Sequence, residues 1–222
     1  MHLLSYNLLK NKAVGELPGL IRKHRPDVLC LQEVDVHLLP NELEGMKLMI
    51  GTERNRLGLA IYLDEERYEA ERTGSFALRS SHYDRLATPA HERLLGVTVS
   101  ARETGERFTV GSFHASPLTA LNAIRRDQIH AGLDNLKMLG NGAPLMMLGD
   151  FNYPMFRRRL AQELNTSGFD LFTPDKETYR SQLTTGYFDF AAGKNFSFEW
   201  LHTLKQGLSD HLPILLKAEL AA

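Results

Sequence analysis

Cysteine is nearly missing: Cys30 stands alone in 222 residues, so no intrachain disulfide can staple the fold. Its setting, the apolar run "DVLCLQEV", predicts a buried, inert thiol and fits a reducing compartment. A dominant charge sign is missing too. The 26 Lys+Arg oppose 27 Asp+Glu for a formal net charge of −1, which excludes a global electrostatic pull toward nucleic acid or an anionic membrane. With one tryptophan and no basic stretch interleaved with aromatics, tight nonspecific nucleic-acid binding is disfavoured. No apolar run approaches membrane-spanning length, and "MHLLSYNLLKNK" has no basic region leading into a signal-length apolar core. A cytoplasmic protein without stable membrane insertion is therefore expected. Long linkers and internal repeats are also lacking, so one domain over residues 1–222 is the simplest organisation.

What is present is an alternation of strand-like and helix-like apolar segments. "LLSYNLL" and "DVLCLQEV" read as strands on either side of a helix, "VGELPGLIRKH". "MKLMIGT", "GLAIYLD" and "YEAERTGSFAL" read as shorter strands, and residues 93–116 as a hairpin closed around Thr104 and Gly105. The strongest helix is residues 118–139, where Leu118, Leu121, Ile124, Ile129, Leu133 and Leu136 recur mostly at three- and four-residue spacing. A short helix follows in "FRRRLAQELN", then strands in "YFDFAAG", "FSFEWLHTL" and "HLPILLKAEL". About ten to twelve strands with few crossover helices do not suit a doubly wound parallel sheet. Two packed, mostly antiparallel sheets flanked by helices, a four-layered α/β sandwich, are expected instead.

Several polar residues sit at or near the ends of these strands: Asn7, Glu33, His114, Asp150, Asn152, Asp210 and His211, with Asp189 between two phenylalanines. Burying several carboxylates is unfavourable unless a cation or hydrogen-bond donors compensate them. Oxygen donors without cysteine, and without closely spaced histidines, favour a hard ion such as Mg²⁺ or Mn²⁺ over structural zinc. That leaves His114 and His211 free for proton transfer or phosphate contact.

The ordered set "SYNLL", "LQEV", "SFHASP", "GDFN", "YFDF" and "SDHLP", from Asn7 to Pro213, resembles the endonuclease/exonuclease/phosphatase superfamily. The resemblance implies that Glu33 is the principal metal ligand, with Asn7 beside it and Asp210 at the same cation. It implies that Asp150 orients or deprotonates the attacking water, helped by Asn152, and that His211, paired with Asp189, contacts the scissile phosphate. His114 is then a general acid or a hydrogen-bond donor to the leaving group. Basic residues near the motifs are candidates for substrate contact: Arg157 and Arg54 foremost, with Arg158 and Arg159, Arg56, and Arg125 and Arg126. At least one arginine of "FRRRL" is expected on a solvated helix face.

The expected activity is a divalent-metal-dependent phosphoesterase, foremost a phosphodiesterase or nuclease, acting on a phosphate ester that could be nucleic acid. The alternatives are a phosphomonoesterase or lipid-directed phosphodiesterase of the same fold, and an inactive binding module. No protein partner is readable from the sequence.

Overall fold

The computed structural model describes residues 1–55, 57–79, 91–181 and 184–221. Arg56, a candidate for substrate contact, lies outside them. Among the described residues, one sheet has seven strands: β1 (His2–Asn7), β2 (Val28–Val34), β3 (Glu42–Leu43), β4 (Met46–Gly51), β5 (Gly58–Asp64), β14 (Phe196–Thr203) and β15 (Ile214–Leu220), in the order β14-β15-β1-β2-β5-β4-β3. The other has six: β6 (Tyr68–Phe76), β7 (Leu94–Ala101), β8 (Arg107–His114), β9 (Leu145–Asp150), β10 (Asp170–Phe172) and β13 (Asp189–Lys194), in the order β10-β13-β9-β8-β7-β6. A short pair, β11 (Tyr179–Arg180) with β12 (Thr185–Gly186), stands apart.

Each sheet is antiparallel except for one central parallel pair, β1 with β2 and β8 with β9. Parallel neighbours need a crossover, and helices supply it: α1 (Leu17–His24) between β1 and β2, and α2 (Asn122–Gly140) between β8 and β9. A third helix, α3 (Arg157–Thr166), follows β9.

The four layers are visible in three separate hydrophobic clusters. Leu17 and Ile21 of α1 pack on Leu4, Tyr6, Leu29 and Leu31, the outer face of the first sheet. Ile129, Leu133 and Leu136 of α2, with Leu160 and Leu164 of α3, pack on Leu94, Phe113, Leu145 and Met147, the outer face of the second. Between the sheets lie Leu3, Val28, Cys30, Val110, Met146 and Leu148. Cys30 is buried, as its apolar run predicts, and burial pushes its thiol pKa up.

Because strand side chains alternate between faces, residues two apart share one. The face turned toward the other sheet reads Leu3, Ser5, Asn7 on β1; Val28, Cys30, Gln32 on β2; Val110, Ser112, His114 on β8; and Met146, Leu148, Asp150 on β9. On β1 and β8 the inter-sheet layer changes along the axis from apolar, through a serine, to a group that can do chemistry; β2 ends its row in the amide of Gln32, and β9 passes directly from apolar to Asp150. Gln32 and the two serines are hydrogen-bonded across the sheets: Gln32 Nε2 donates to Ser5 Oγ at 3.1 Å and to Ser112 Oγ at 3.0 Å, and Ser112 Oγ donates to Leu31 O at 3.0 Å.

The long helix starts later than its periodicity predicts. Leu118 and Leu121 are exposed rather than on the buried face, because residues 117–121 form a loop. Arg125 explains it: this buried guanidinium donates to Pro117 O at 2.9 Å and Ala120 O at 2.7 Å, drawing those carbonyls away from helical partners. Arg125 therefore holds a loop.

Candidate active site

The carboxyl ends of the parallel pairs β1/β2 and β8/β9 lie at the same end of the sandwich, the usual place for a ligand beside parallel strands. In the six-stranded sheet, His114, Asp150 and Asp189 stand in one cross-strand row, since His114 pairs with Asp150 and Asp150 with Asp189. Gly149 makes the close approach before Asp150 possible. Its φ is +145°, and a Cβ there would lie 1.9 Å from Phe113 O. Phe151 then turns back into the core between Phe113 and Phe190, edge to face with each.

Two carboxylates directly opposite on neighbouring strands repel each other. Here His211 mediates between them. Its Nδ1 is 2.8 Å from Asp189 Oδ2 and its Nε2 is 3.7 Å from Asp150 Oδ2. Asp150 Oδ2 is also 3.5 Å from His114 Nε2 and accepts from Asn7 Nδ2 at 3.2 Å, while Asp150 Oδ1 accepts from Asn152 N at 2.8 Å. Burial of the His211 ring would lower its pKa, but the Asp189 and Asp150 carboxylates outweigh that and hold it at about 10. For Asp150 burial is the largest influence, reinforced by Asp189 and Glu33 and opposed by His211, and its pKa is pushed up to about 7.

Glu33 reaches the group by breaking strand parity. Following Gln32, it would point to the outer face, but a bulge between Gln32 and Val34 and a left-handed φ of 54° turn it inward. Its Oε1 lies 3.5 Å from Asn7 Nδ2, and its Oε2 accepts from Lys10 N at 3.1 Å. Asn152 also departs from the strand. The sequence reads as one extended segment through "GDFN", but β9 ends at Asp150 and Asn152 is left-handed at φ 47°, its amide 3.4 Å from Ala115 O. Asp210 stands next to His211, and its carbonyl accepts from Arg180 N at 2.8 Å. Among the described residues, no hydrogen bond joins its carboxylate to Glu33 or Asn7.

Of the basic candidates, Arg157 lies with its guanidinium 3.8 Å from the ring centre of Tyr187, two residues before Asp189. Arg159 and Arg126 both pair with Glu163, so Arg159 takes the solvated-face place expected for one arginine of the run. Arg54 is exposed between β4 and β5, and among the described residues no contact brings its side chain to the group.

The sequence matches the model of the Endonuclease/Exonuclease/phosphatase family over residues 4–210. The chain belongs to that family. None of the curated proteins matches it in sequence. Among solved structures, the human Nocturnin catalytic domain with a bound sulfate anion is similar at a TM-score of 0.80 and 18% identity, covering 100% of this chain and 94% of that one. A mannosyl-6-phosphatase from Bacteroides thetaiotaomicron is similar at 0.77 and 18%, covering 99% of each chain. TDP2 from D. rerio, in complex with a single-strand DNA product, is similar at 0.77 and 15%, covering 99% of this chain and 98% of that one. At these identities the endonuclease/exonuclease/phosphatase neighbours show the shared fold, which is the sandwich expected from the sequence.

Enzymes of the endonuclease/exonuclease/phosphatase family generally use divalent metals, and the donors present fit such an ion. Two carboxylates, Glu33 and Asp150, converge within 3.5 Å of one amide nitrogen, and among the described residues neither is paired with a lysine or arginine. The buried trio Asp150, Asp189 and His211 also brings its ligand atoms within 4.8 Å of one another. His211 is the weaker donor there, because Nδ1 is engaged by Asp189 and the raised pKa keeps the ring protonated. Among the described residues, no helix is long and apolar enough to cross a membrane.

Sequence reasoning missed Ser209, whose Oγ donates to Asn7 O at 2.7 Å and accepts from His211 N at 3.1 Å, tying the loop before His211 to the end of β1. The only signal for it is its place two residues before His211, the spacing of a side-chain-to-backbone turn.

Proposed function

We propose that the chain is one domain hydrolysing a phosphate ester with a divalent cation, foremost a phosphodiester. The carrying observation is the convergence of His114, His211 and Asn7 on Asp150 Oδ2. In this reading Glu33 and Asn7 hold Mg²⁺ or Mn²⁺, with Asp210 beside them, and the ion supplies charge neutralisation at the phosphoryl oxygens. Asp150, held by the Asn152 N–H, orients a water for in-line attack on phosphorus and takes its proton. The imidazolium of His211, fixed by Asp189, donates to a phosphoryl oxygen on which charge accumulates. His114 donates a proton or hydrogen bond to the departing oxygen, so the P–O bond breaks without releasing a bare alkoxide. Arg157 binds a further anionic group of the substrate.

The test is a panel of bis-p-nitrophenyl phosphate, mononitrophenyl phosphate, DNA, RNA and phospholipid, each with Mg²⁺, Mn²⁺ or Ca²⁺. The expected result is metal-dependent hydrolysis of at least one ester, with Glu33→Ala losing most of the metal response. No turnover of any ester, together with unchanged metal binding in Glu33→Ala, identifies an inactive binding module instead.

One observation favours a lipid-directed variant of this activity. Among the described residues, eight large hydrophobic side chains are exposed, and six of them lie between the main elements next to site-bearing segments: Leu118, Leu121, Met155, Phe156 and Leu208 on loops, and Leu38 at the end of a short 3-10 helix, Val36–Leu38. On this reading, phosphatidylcholine vesicles retain the protein in a flotation assay. Leu121→Glu then weakens retention about tenfold or more while hydrolysis of a soluble diester is unchanged. A wild-type protein that does not float removes the lipid reading.

A further inference from the structure

Asp189 and His211 belong to different sheets: Asp189 opens β13 of the six-stranded sheet, and His211 precedes β15 of the seven-stranded one. A 2.8 Å hydrogen bond between them requires the two sheets to be fixed at this point. The segment 178–180 spans the gap. On one side, Thr178 N donates to Gly186 O at 3.0 Å and Tyr179–Arg180 pairs with Thr185–Gly186. On the other, Leu212 N donates to Thr178 O at 2.6 Å, Arg180 N donates to Asp210 O at 2.8 Å, and Tyr179 bridges His211.

At the centre of this splint, the fully buried Thr178 hydroxyl accepts two hydrogen bonds, from Phe188 N and from Asp189 N, both at 3.0 Å. One oxygen thereby fixes the backbone from which the Asp189 carboxylate projects, while the carbonyl of the same residue fixes the backbone one residue after His211. The Tyr179 ring completes the clamp, packed 4.6 Å from Phe188 and 5.0 Å from His211 between ring centres.

We infer that Thr178 is a positioning residue for the reaction, its hydroxyl setting the distance and angle between Asp189 and His211 across the two sheets. The inference rests on the phosphoesterase reading for its kinetic consequence and on geometry alone for its spectroscopic one. Thr178→Val keeps the shape and removes the acceptor, leaving two buried N–H groups unpaired; Thr178→Ser keeps the acceptor.

The experiment measures all three proteins in two ways. In proton NMR, the strongly downfield resonance of the His211 Nδ1–H, assigned by its loss in His211→Ala, is expected in wild type and Thr178→Ser and is displaced or lost in Thr178→Val. With the ester found in the panel, Thr178→Val is expected to lower kcat about 10²-fold, the size of effect caused by a small misplacement of reacting groups, with KM within a factor of three and Thr178→Ser restoring turnover. A folded Thr178→Val with the wild-type resonance overturns the inference, and so does failure of Thr178→Ser to restore what valine removes. If the panel finds no turnover, the phosphoesterase reading falls while the resonance still decides the role of Thr178; should valine unfold the chain, the serine and wild-type spectra and kinetics must still agree.

Discussion

Replacing His211 with alanine is expected to reduce kcat by about 10²- to 10⁴-fold, the range for a positioned acid or base, and to make stability depend on pH in a defined window. The ring is 5% exposed and lies between two carboxylates, so in the variant Asp150 and Asp189 face each other in register with nothing between them. The pKa of His211 is raised from 6.5 to about 10, so the folded state holds the proton more tightly than the unfolded chain. Its stabilisation is therefore complete below about pH 6.5 and is lost as pH rises through about 10. Thermal melts of wild type and His211→Ala are expected to differ most near pH 6 and to approach each other above pH 10. A pH-independent gap contradicts the ion-pair account even if turnover falls.

Asp150→Asn is expected to do the opposite to stability while abolishing turnover. A carboxylic acid whose pKa is raised from 3.8 to about 7 opposes folding once the unfolded chain has ionised: the penalty is absent below about pH 4, grows as pH rises to about 7, and is constant beyond. Asparagine removes that penalty and gives up one hydrogen bond, about 1 kcal/mol, because an amide cannot accept from both Asn7 and Asn152. At about 2–4 °C per kcal/mol for a domain of this size, Asp150→Asn should melt several degrees above wild type at pH 8 in EDTA and show no advantage at pH 4. Mg²⁺ should raise the wild-type midpoint more than the variant's, because an ion that binds only the folded state stabilises it by mass action and the amide withdraws one negative charge from its surroundings while Glu33, Asn7 and Asp210 stay in place. Equal metal responses would remove Asp150 from the cation's surroundings.

Much of this arrangement was legible in the sequence because it follows strand parity. Asn7, His114 and Asp150 each end a strand on the face that Leu3, Val110 and Met146 begin, and a two-residue repeat carries that information directly. The hairpin around Thr104 and Gly105 was readable for a similar reason, since Gly105 is left-handed at φ 73° between β7 and β8. Glu33 and Asn152 follow no such rule. Their strand-end positions and the resemblance carried by "LQEV" and "GDFN" pointed to the residues, but their directions come from left-handed backbone that neither residue type announces. The exposed Leu118 and Leu121 misled because apolar spacing cannot reveal that Arg125, seven and four residues later, captures the carbonyls of their loop. The strands β3, β11 and β12 are two residues long, too short for any periodicity. Thr178 acts through backbone groups ten and eleven residues away, so its own neighbourhood held no trace of the task, and Ser209 showed only the local half of its role, the turn to His211 N, not its bond to Asn7 O.

The placement of the polar cluster at a seam has a further consequence. Asn7, Glu33 and His211 come from one sheet, His114, Asp150 and Asp189 from the other, and neither half holds a complete set. A chain that has formed both sheets but not closed them has most of its secondary structure and no chemistry. Recovery of turnover during refolding would then be a clock for sheet docking, ticking later than the recovery of circular dichroism.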